Sequence, residues 1–229
     1  MNAAVSAQRR ARMVERQLRQ EGIRDTAVLQ AMSHVPRELF VPAAYREQAY
    51  EDRPLTIPAG QTISQPYIVA YMLAALELQP TDRVLEIGTG SGYAAAVLSQ
   101  IGHKVFTVER EKELVQYARQ CLAQVGYNNV QVHYGDGTLG WPDHAPYEAI
   151  VVSAGSPSVP SALRQQLAVN GRLIIPIGIS PHHQRLHKIT RLSADKFREV
   201  RLKHVSFVQL VGAEGWTNAD EPWLTYFNN

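Results

Sequence analysis

From Arg83 onward, short apolar runs alternate with longer segments whose apolar residues recur three and four apart. The runs are RVLEI, KVFTVE, VQVHY, YEAIVVS and RLIIPI. Between them, GYAAAVLSQI, EKELVQYARQCLAQV and VPSALRQQLA read as helices. Strands that are apolar at nearly every position bury both faces, and strands separated by helices pair in parallel. The pattern predicts an α/β fold: a three-layer sandwich around a mostly parallel, doubly wound sheet.

Beyond RLIIPI the period changes. Leu186, Lys188 and Ile189, then Val200, Leu202, Val205 and Phe207, lie on two segments joined by SADK. This predicts a C-terminal antiparallel strand pair. The other end of the chain reads as helix. Val14 and Leu18 stand four apart in SAQRRARMVERQLRQEGI, with Gly22 as the stop. DTAVLQAMSHV follows, with Asp25 placed to cap it and Pro36 beyond its end. An extended run, RPLTIPA, leads through GQTISQP into an apolar helix, YIVAYMLAAL. The expected organisation is one domain over residues 1–229. Within it, residues 1–62 form a mainly helical cover, 63–212 the core, and 213–229 a surface extension.

Composition narrows the function. The chain has 229 residues, 45% hydrophobic and 19% charged, ordinary values for a globular domain with a real core. A net charge of +2 is too mild to argue for nucleic acid. Cys121 is the only cysteine, so no internal disulfide can form, and its place on a helical pattern suits a small core residue. No apolar run approaches the ~20 residues of a membrane helix, and the first twenty residues lack the apolar stretch of a secretory signal. A cytoplasmic protein, off the membrane, is expected. The histidines are scattered, and adjacent His182 and His183 are poorly placed to share a metal, so no metal is expected. The basic QRRAR stretch reads as a solvated helix face.

The chemistry concentrates in VLEIGTGSGYAA. Gly88, Gly90 and Gly92 end a strand and open a helix, where glycine permits a sharp turn and close approach of a ligand. The G-x-G-x-G spacing differs from the G-x-G-x-x-G of dinucleotide sites. Glu86 stands at the end of the same strand, able to accept from an ammonium but repelling phosphate. Glu109 closes the next strand, where a carboxylate suits a ribose diol. Asp136 closes the third, where it can accept from an adenine amino group or simply cap the following turn. Three acids at three successive strand ends fit a cationic adenosyl ligand with an amino-acid tail, S-adenosylmethionine.

With the segments VPRELFVP, GQTISQPYIVA, VLEIGTGSGY, GDG, PSALRQQL and GRLIIPIG in this order, the chain resembles the protein-L-isoaspartate O-methyltransferases. The resemblance covers roughly Arg12 to Gly212, and GQTISQP is its most specific part. It implies a Rossmann-like methyltransferase sheet. The implied activity is transfer of a methyl group from S-adenosylmethionine, leaving S-adenosylhomocysteine, to the α-carboxylate of isoaspartyl residues in damaged proteins and peptides. Ser64 takes the place of the family's active-site serine, and Thr62, Ile63 and Ser64 lie where substrate is held. Glu86, Gly88, Thr89, Gly90, Ser91, Gly92, Glu109, Asp136 and Gly137 match the cofactor contacts. A monomer is expected, with isoaspartyl proteins and peptides as partners and no nucleic acid. Gln209 stands where the family often has proline.

The residues leave rival readings in view. Ser64 also suits the N-cap of the helix that follows it. A nucleic-acid or small-molecule methyltransferase is disfavoured because AIVVSAG is not followed by an Asn/Asp-Pro-Pro-aromatic motif. A binding-only module is disfavoured by the joint presence of the strand-end acids and GQTIS, and an NAD enzyme by the glycine spacing.

Overall fold

The structure, a computed structural model, describes residues 2–180 and 183–217. His182 and Trp223 therefore lie outside the described residues. The first helix, α1 (Ala3–Met13), continues through a wider π turn over Val14–Arg19, and the chain turns at Gly22 with φ +97°. Val14 and Leu18 are both buried, as their spacing requires. Helix α2 (Thr26–His34) is capped as expected, Asp25 accepting from Val28 N at 3.0 Å.

Strands β1 (Leu55–Thr56) and β2 (Thr62–Ile63) form a small antiparallel hairpin that the sequence pattern did not announce. Leu55 pairs with Ile63 and Thr56 with Thr62. Strands of two residues are too short to show alternation and cannot be read from periodicity. The hairpin closes because Ala59 and Gly60 both take positive φ, +56° and +65°. Helix α3 (Pro66–Leu76) begins right after it, with Gln65 at the N-cap and no side-chain cap. Ser64 does not cap this helix, which corrects that alternative. Instead Asp52, fifteen residues upstream of Tyr67, accepts the Tyr67 N–H at 3.1 Å.

The main sheet has seven strands. They are β3 (Arg83–Ile87), β4 (Lys104–Glu109), β5 (Val130–Tyr134), β6 (Tyr147–Val152), β7 (Leu167–Gly178), β8 (Gln184–Arg191) and β9 (Phe197–Val205), in the spatial order β5-β4-β3-β6-β7-β8-β9. All neighbours from β5 to β7 run parallel, and β8 is antiparallel to both β7 and β9. Helices α4 (Tyr93–Ser99) and α5 (Lys112–Val125) make the crossovers to β4 and β5, and α6 (Ser161–Gln166) precedes β7. The helix predicted over VPSALRQQLA is shorter than its pattern: it starts after Pro160 and stops at Gln166, and β7 begins at once at Leu167.

Side chains alternate across the sheet as a period of two demands. Val84, Val105, Ala149, Val151 and Ile174 face a thick layer built with α1 to α5, including Met13, Leu18, Leu73 and Leu98. Leu85, Ile87, Phe106, Ile150 and Leu173 face a thinner one with Trp141, Tyr147 and Leu163. Cys121 is buried in the first layer. The strand order reverses between β3 and β6. In doubly wound sheets, ligands bind at the carboxyl ends of the strands at such a switch point.

Candidate active site

A cavity of about 540 Å³ opens at that switch point. Its floor is the carboxyl ends of β3, β4 and β6: Glu86 to Ser91, Val108 and Glu109, and Ser153 with Ala154. The β1–β2 hairpin and the start of α3 form the opposite wall, through Thr56, Gly60, Gln61, Thr62, Ile63 and Ser64. The structure thus brings the GQTIS part of GQTISQP and the glycine turn, two stretches more than twenty residues apart, into one cleft. A Cβ added at Gly90 would touch Ile57 Cδ1 at 3.5 Å, so the hairpin lies directly over the turn.

The glycine turn has the backbone its residues foretold. Gly88, Gly90 and Gly92 carry φ of +86°, +54° and +86°, a region other residues rarely enter. Gly92 is outside the cavity lining and is the N-cap residue of α4, where an added Cβ would meet Leu122 at 3.3 Å and Ala118 at 3.4 Å.

Glu86 is fully buried at the root of the cavity. Its Oε2 accepts from Thr107 Oγ1 at 2.6 Å, and Thr107 Oγ1 lies 2.6 Å from Thr89 Oγ1. Its Oε1 has no hydrogen-bond partner among the described residues. Burial pushes the Glu86 carboxyl up to about 8, against the pull of the Thr107 hydrogen bond, and the charge of Glu109 pushes the same way. A buried carboxylate with one oxygen lacking a donor, on a residue that lines a ligand-sized cleft, fits a cationic donor group.

Glu109 is held by backbone: Oε2 accepts from Gly90 N at 2.9 Å and Oε1 from Glu111 N at 3.0 Å. Burial raises its pKa, and the N–H groups of Glu111, Gly90 and Arg110 oppose that rise. Each oxygen keeps a lone pair free for a further donor. Asp136 is differently placed. It lies beside the cavity rather than in its lining, and Gly137 reaches the cavity in its stead. Asp136 Oδ1 accepts from Thr138 N (2.9 Å) and Thr138 Oγ1 (2.7 Å), and Oδ2 from Ala213 N (2.7 Å). It therefore caps the short turn Gly137–Leu139 and ties down residues 213 onward.

Sequence reasoning missed several walls of the cleft. Thr56 lines it as the cross-strand partner of Thr62. Tyr93, fully buried at the start of α4, borders it as well. Gln209, singled out in the sequence for standing where the family often has proline, reaches the cleft from beyond β9. Ser153 and Ala154 had a legible signal, since they follow β6 directly at the carboxyl edge of the sheet. The charged groups of the lining, Glu86, Glu109, Arg110 and Glu111, all belong to the strand ends, and the hairpin wall is uncharged. Among the described residues no group of three or more His, Cys, Asp or Glu could hold a metal ion, and no helix is long and apolar enough to cross a membrane.

Comparison with known proteins agrees with this geometry. The chain is 62% identical over 208 residues to protein-L-isoaspartate O-methyltransferase 2 of Pelobacter propionicus, covering 91% of this chain and 92% of that one. It is 56% identical over 210 residues to protein-L-isoaspartate O-methyltransferase 1 of Geotalea uraniireducens, covering 92% and 96%. A solved protein-L-isoaspartate O-methyltransferase superposes with a TM-score of 0.82 at 30% identity, over 90% of this chain and 67% of that chain. A second, described as a protein-L-isoaspartate O-methyltransferase from Plasmodium falciparum in complex with S-adenosyl-L-homocysteine, superposes with a TM-score of 0.76 at 27% identity, over 88% and 98%. The model of the protein-L-isoaspartate(D-aspartate) O-methyltransferase family matches residues 8–215, and the chain belongs to that family.

Proposed function

We infer that this protein moves a methyl group from S-adenosylmethionine to the α-carboxylate of L-isoaspartyl residues in damaged proteins and peptides. The observation that carries the reading is the single cleft joining the uncharged Thr62–Ser64 wall to the Glu86–Gly92 turn. S-adenosylmethionine, when bound, supplies an electrophilic methyl carried by a sulfonium sulfur. Glu86, whose Oε1 lacks a partner, would take its ammonium, and Glu109 would accept from the ribose hydroxyls. Thr89, Gly90, Ser91 and Gly137 shape the rest of that half, with Gly88 and Gly92 setting the turn and Asp136 acting from behind Gly137. The 27%-identical Plasmodium relative, solved with S-adenosyl-L-homocysteine, supports this choice of cofactor.

The acceptor needs no base. A free α-carboxyl has a pKa of ~3.3–3.7 and arrives ionised. What it requires is alignment within about 3–3.5 Å of the methyl carbon and a site with little water. A contacting lysine or arginine would hold the anion in its ground state, and a contacting acid would repel it. Hydroxyls hold it without doing either. Thr62 and Ser64 supply them, Ser64 as the orienting donor and Ile63, buried, as the apolar anchor between. The first-turn N–H of Tyr67 is already taken by Asp52, so the hydroxyls matter more than the helix terminus.

A net charge of +2 is too mild to argue for nucleic acid as the acceptor. The reading is completed by a single-domain monomer working in the cytoplasm, its segment 1–62 covering the substrate side of the core. The test uses a peptide pair differing only in Asp versus isoAsp, with labelled S-adenosylmethionine. Base-labile label on the isoAsp peptide alone is expected, and equal labelling of both rejects the reading. Ser64→Ala lowers kcat by roughly ten- to a hundred-fold while S-adenosylhomocysteine affinity, measured by calorimetry, stays within about two-fold. Glu109→Ala reverses that split, weakening cofactor binding most.

A further inference from the structure

Arg37 is the one lysine or arginine among the described residues that is fully buried. Its Nε donates to the Ala49 carbonyl at 2.7 Å and its Nη2 to the Ser64 carbonyl at 2.7 Å. Its guanidinium carbon lies 4.7 Å from the centre of the Tyr93 ring. Among the described residues no carboxylate is within ion-pair distance, Asp52 acting on it only from farther off, and Nη1 finds no acceptor. Arg37 does not line the cavity, but both Ser64 and Tyr93 do. A charged guanidinium therefore sits one layer behind the wall against which the acceptor carboxylate is placed. Asp52 grips the same short stretch from the other end, accepting from Tyr67 N at 3.1 Å and from Gln65 Nε2 at 3.4 Å.

As a device for stability this arrangement is poor. An arginine keeps its charge in proteins, and burying a charge without a counter-charge costs far more than two carbonyl hydrogen bonds return. An apolar side chain of similar length would pack the same space without that cost. Asp52 acts on Arg37 only from beyond ion-pair distance, and a closer counter-charge has a source if the cleft receives an anion. We propose that Arg37 is a positioning residue for the substrate carboxylate: it fixes the Ser64 peptide unit from behind and places a positive charge near the carboxylate without touching it. The separation is what the chemistry needs. Methyl transfer removes the negative charge of the carboxylate, so a cation in direct contact would stabilise substrate more than transition state. Held behind the Ser64 carbonyl, the charge favours capture of the anion and leaves its oxygen free to react.

This inference rests on the isoaspartyl reading, and the test separates the two. Wild-type enzyme is first assayed on the Asp and isoAsp peptide pair; failure to prefer isoAsp removes the functional reading itself. With that preference present, Arg37→Met raises the isoAsp-peptide KM by about ten-fold. It leaves kcat within about three-fold and S-adenosylhomocysteine affinity within about two-fold. Arg37→Lys, which keeps the charge and a donor, recovers most of the KM. A folded Arg37→Met enzyme with unchanged KM overturns the proposal, as does equal loss of substrate and cofactor binding, or an Arg37→Lys enzyme no better than Arg37→Met. Should Arg37→Met not fold, Asp52→Ala at an exposed position releases the other end of the grip. A KM rise of about three-fold with unchanged cofactor affinity is expected there, and no rise overturns the proposal.

Discussion

Glu86 shows how one side chain couples the empty cleft to pH. An acid whose native pKa is raised keeps its proton in the folded protein over a range where the unfolded chain has already lost it. Between the ordinary carboxylate value and about 8, the native state binds the extra proton. The unliganded protein therefore loses stability as pH climbs through that window, and the loss is complete above about 8. Glu109, raised by burial, adds to the same slope. Pairing with a cofactor ammonium requires the ionised form, so S-adenosylhomocysteine affinity rises from about pH 6.5 toward pH 8.5 with release of a proton. Calorimetry across that range in buffers of different ionisation enthalpy measures both, and Glu86→Gln flattens the profile. The acid itself was legible from its place before the glycines. Its missing partner was not, because Thr107 reaches it from another strand, twenty-one residues away.

Elements were readable where the signal is local. Runs such as RVLEI and KVFTVE became β3 and β4 because a doubly covered parallel strand is mostly apolar along its length, with no alternation between faces. Asp25 announced α2 because capping needs only the next three residues, and Asp25→Ala should cost about 1 kcal/mol of unfolding free energy. The far end of α3 is secured non-locally and left no such trace. Arg172, on β7, donates from Nε to the Leu76 carbonyl and from Nη2 to the Glu77 carbonyl, and pairs with buried Asp82 at 2.6 Å. One side chain thus caps α3 and joins it to the entry of β3 and to β7. Arg172→Met strands the Asp82 charge and two carbonyls, and its expected cost is about 3–5 kcal/mol. A thermal melt should record that as a fall of roughly 10 °C. Boundaries failed where two periods meet without a breaker, as at Gln166, where α6 gives way to β7 with no glycine or proline between them.

The whole molecule decides what no single segment can. The sequence identified both halves of the cleft, the Thr62–Ser64 wall and the Glu86–Gly92 turn, yet only the β1–β2 hairpin and the switch point of the sheet put them face to face. It could not pair Arg37 with Ser64, or Asp136 with Ala213, because those contacts span 27 and 77 residues. The second of these bears on where the functional chain stops. Past β9 the backbone returns to the cleft: Ala213 N binds Asp136, Glu214 N binds Thr138 Oγ1 and Glu214 accepts from Ser161, while Trp216 Nε1 donates to the Gly155 carbonyl. A chain ending at Gly212 should bind S-adenosylhomocysteine about ten-fold more weakly than one ending at Thr217, as equilibrium dialysis would measure. Anyone trimming this enzyme for fusion or display should therefore leave that buckle fastened and place the junction beyond Thr217.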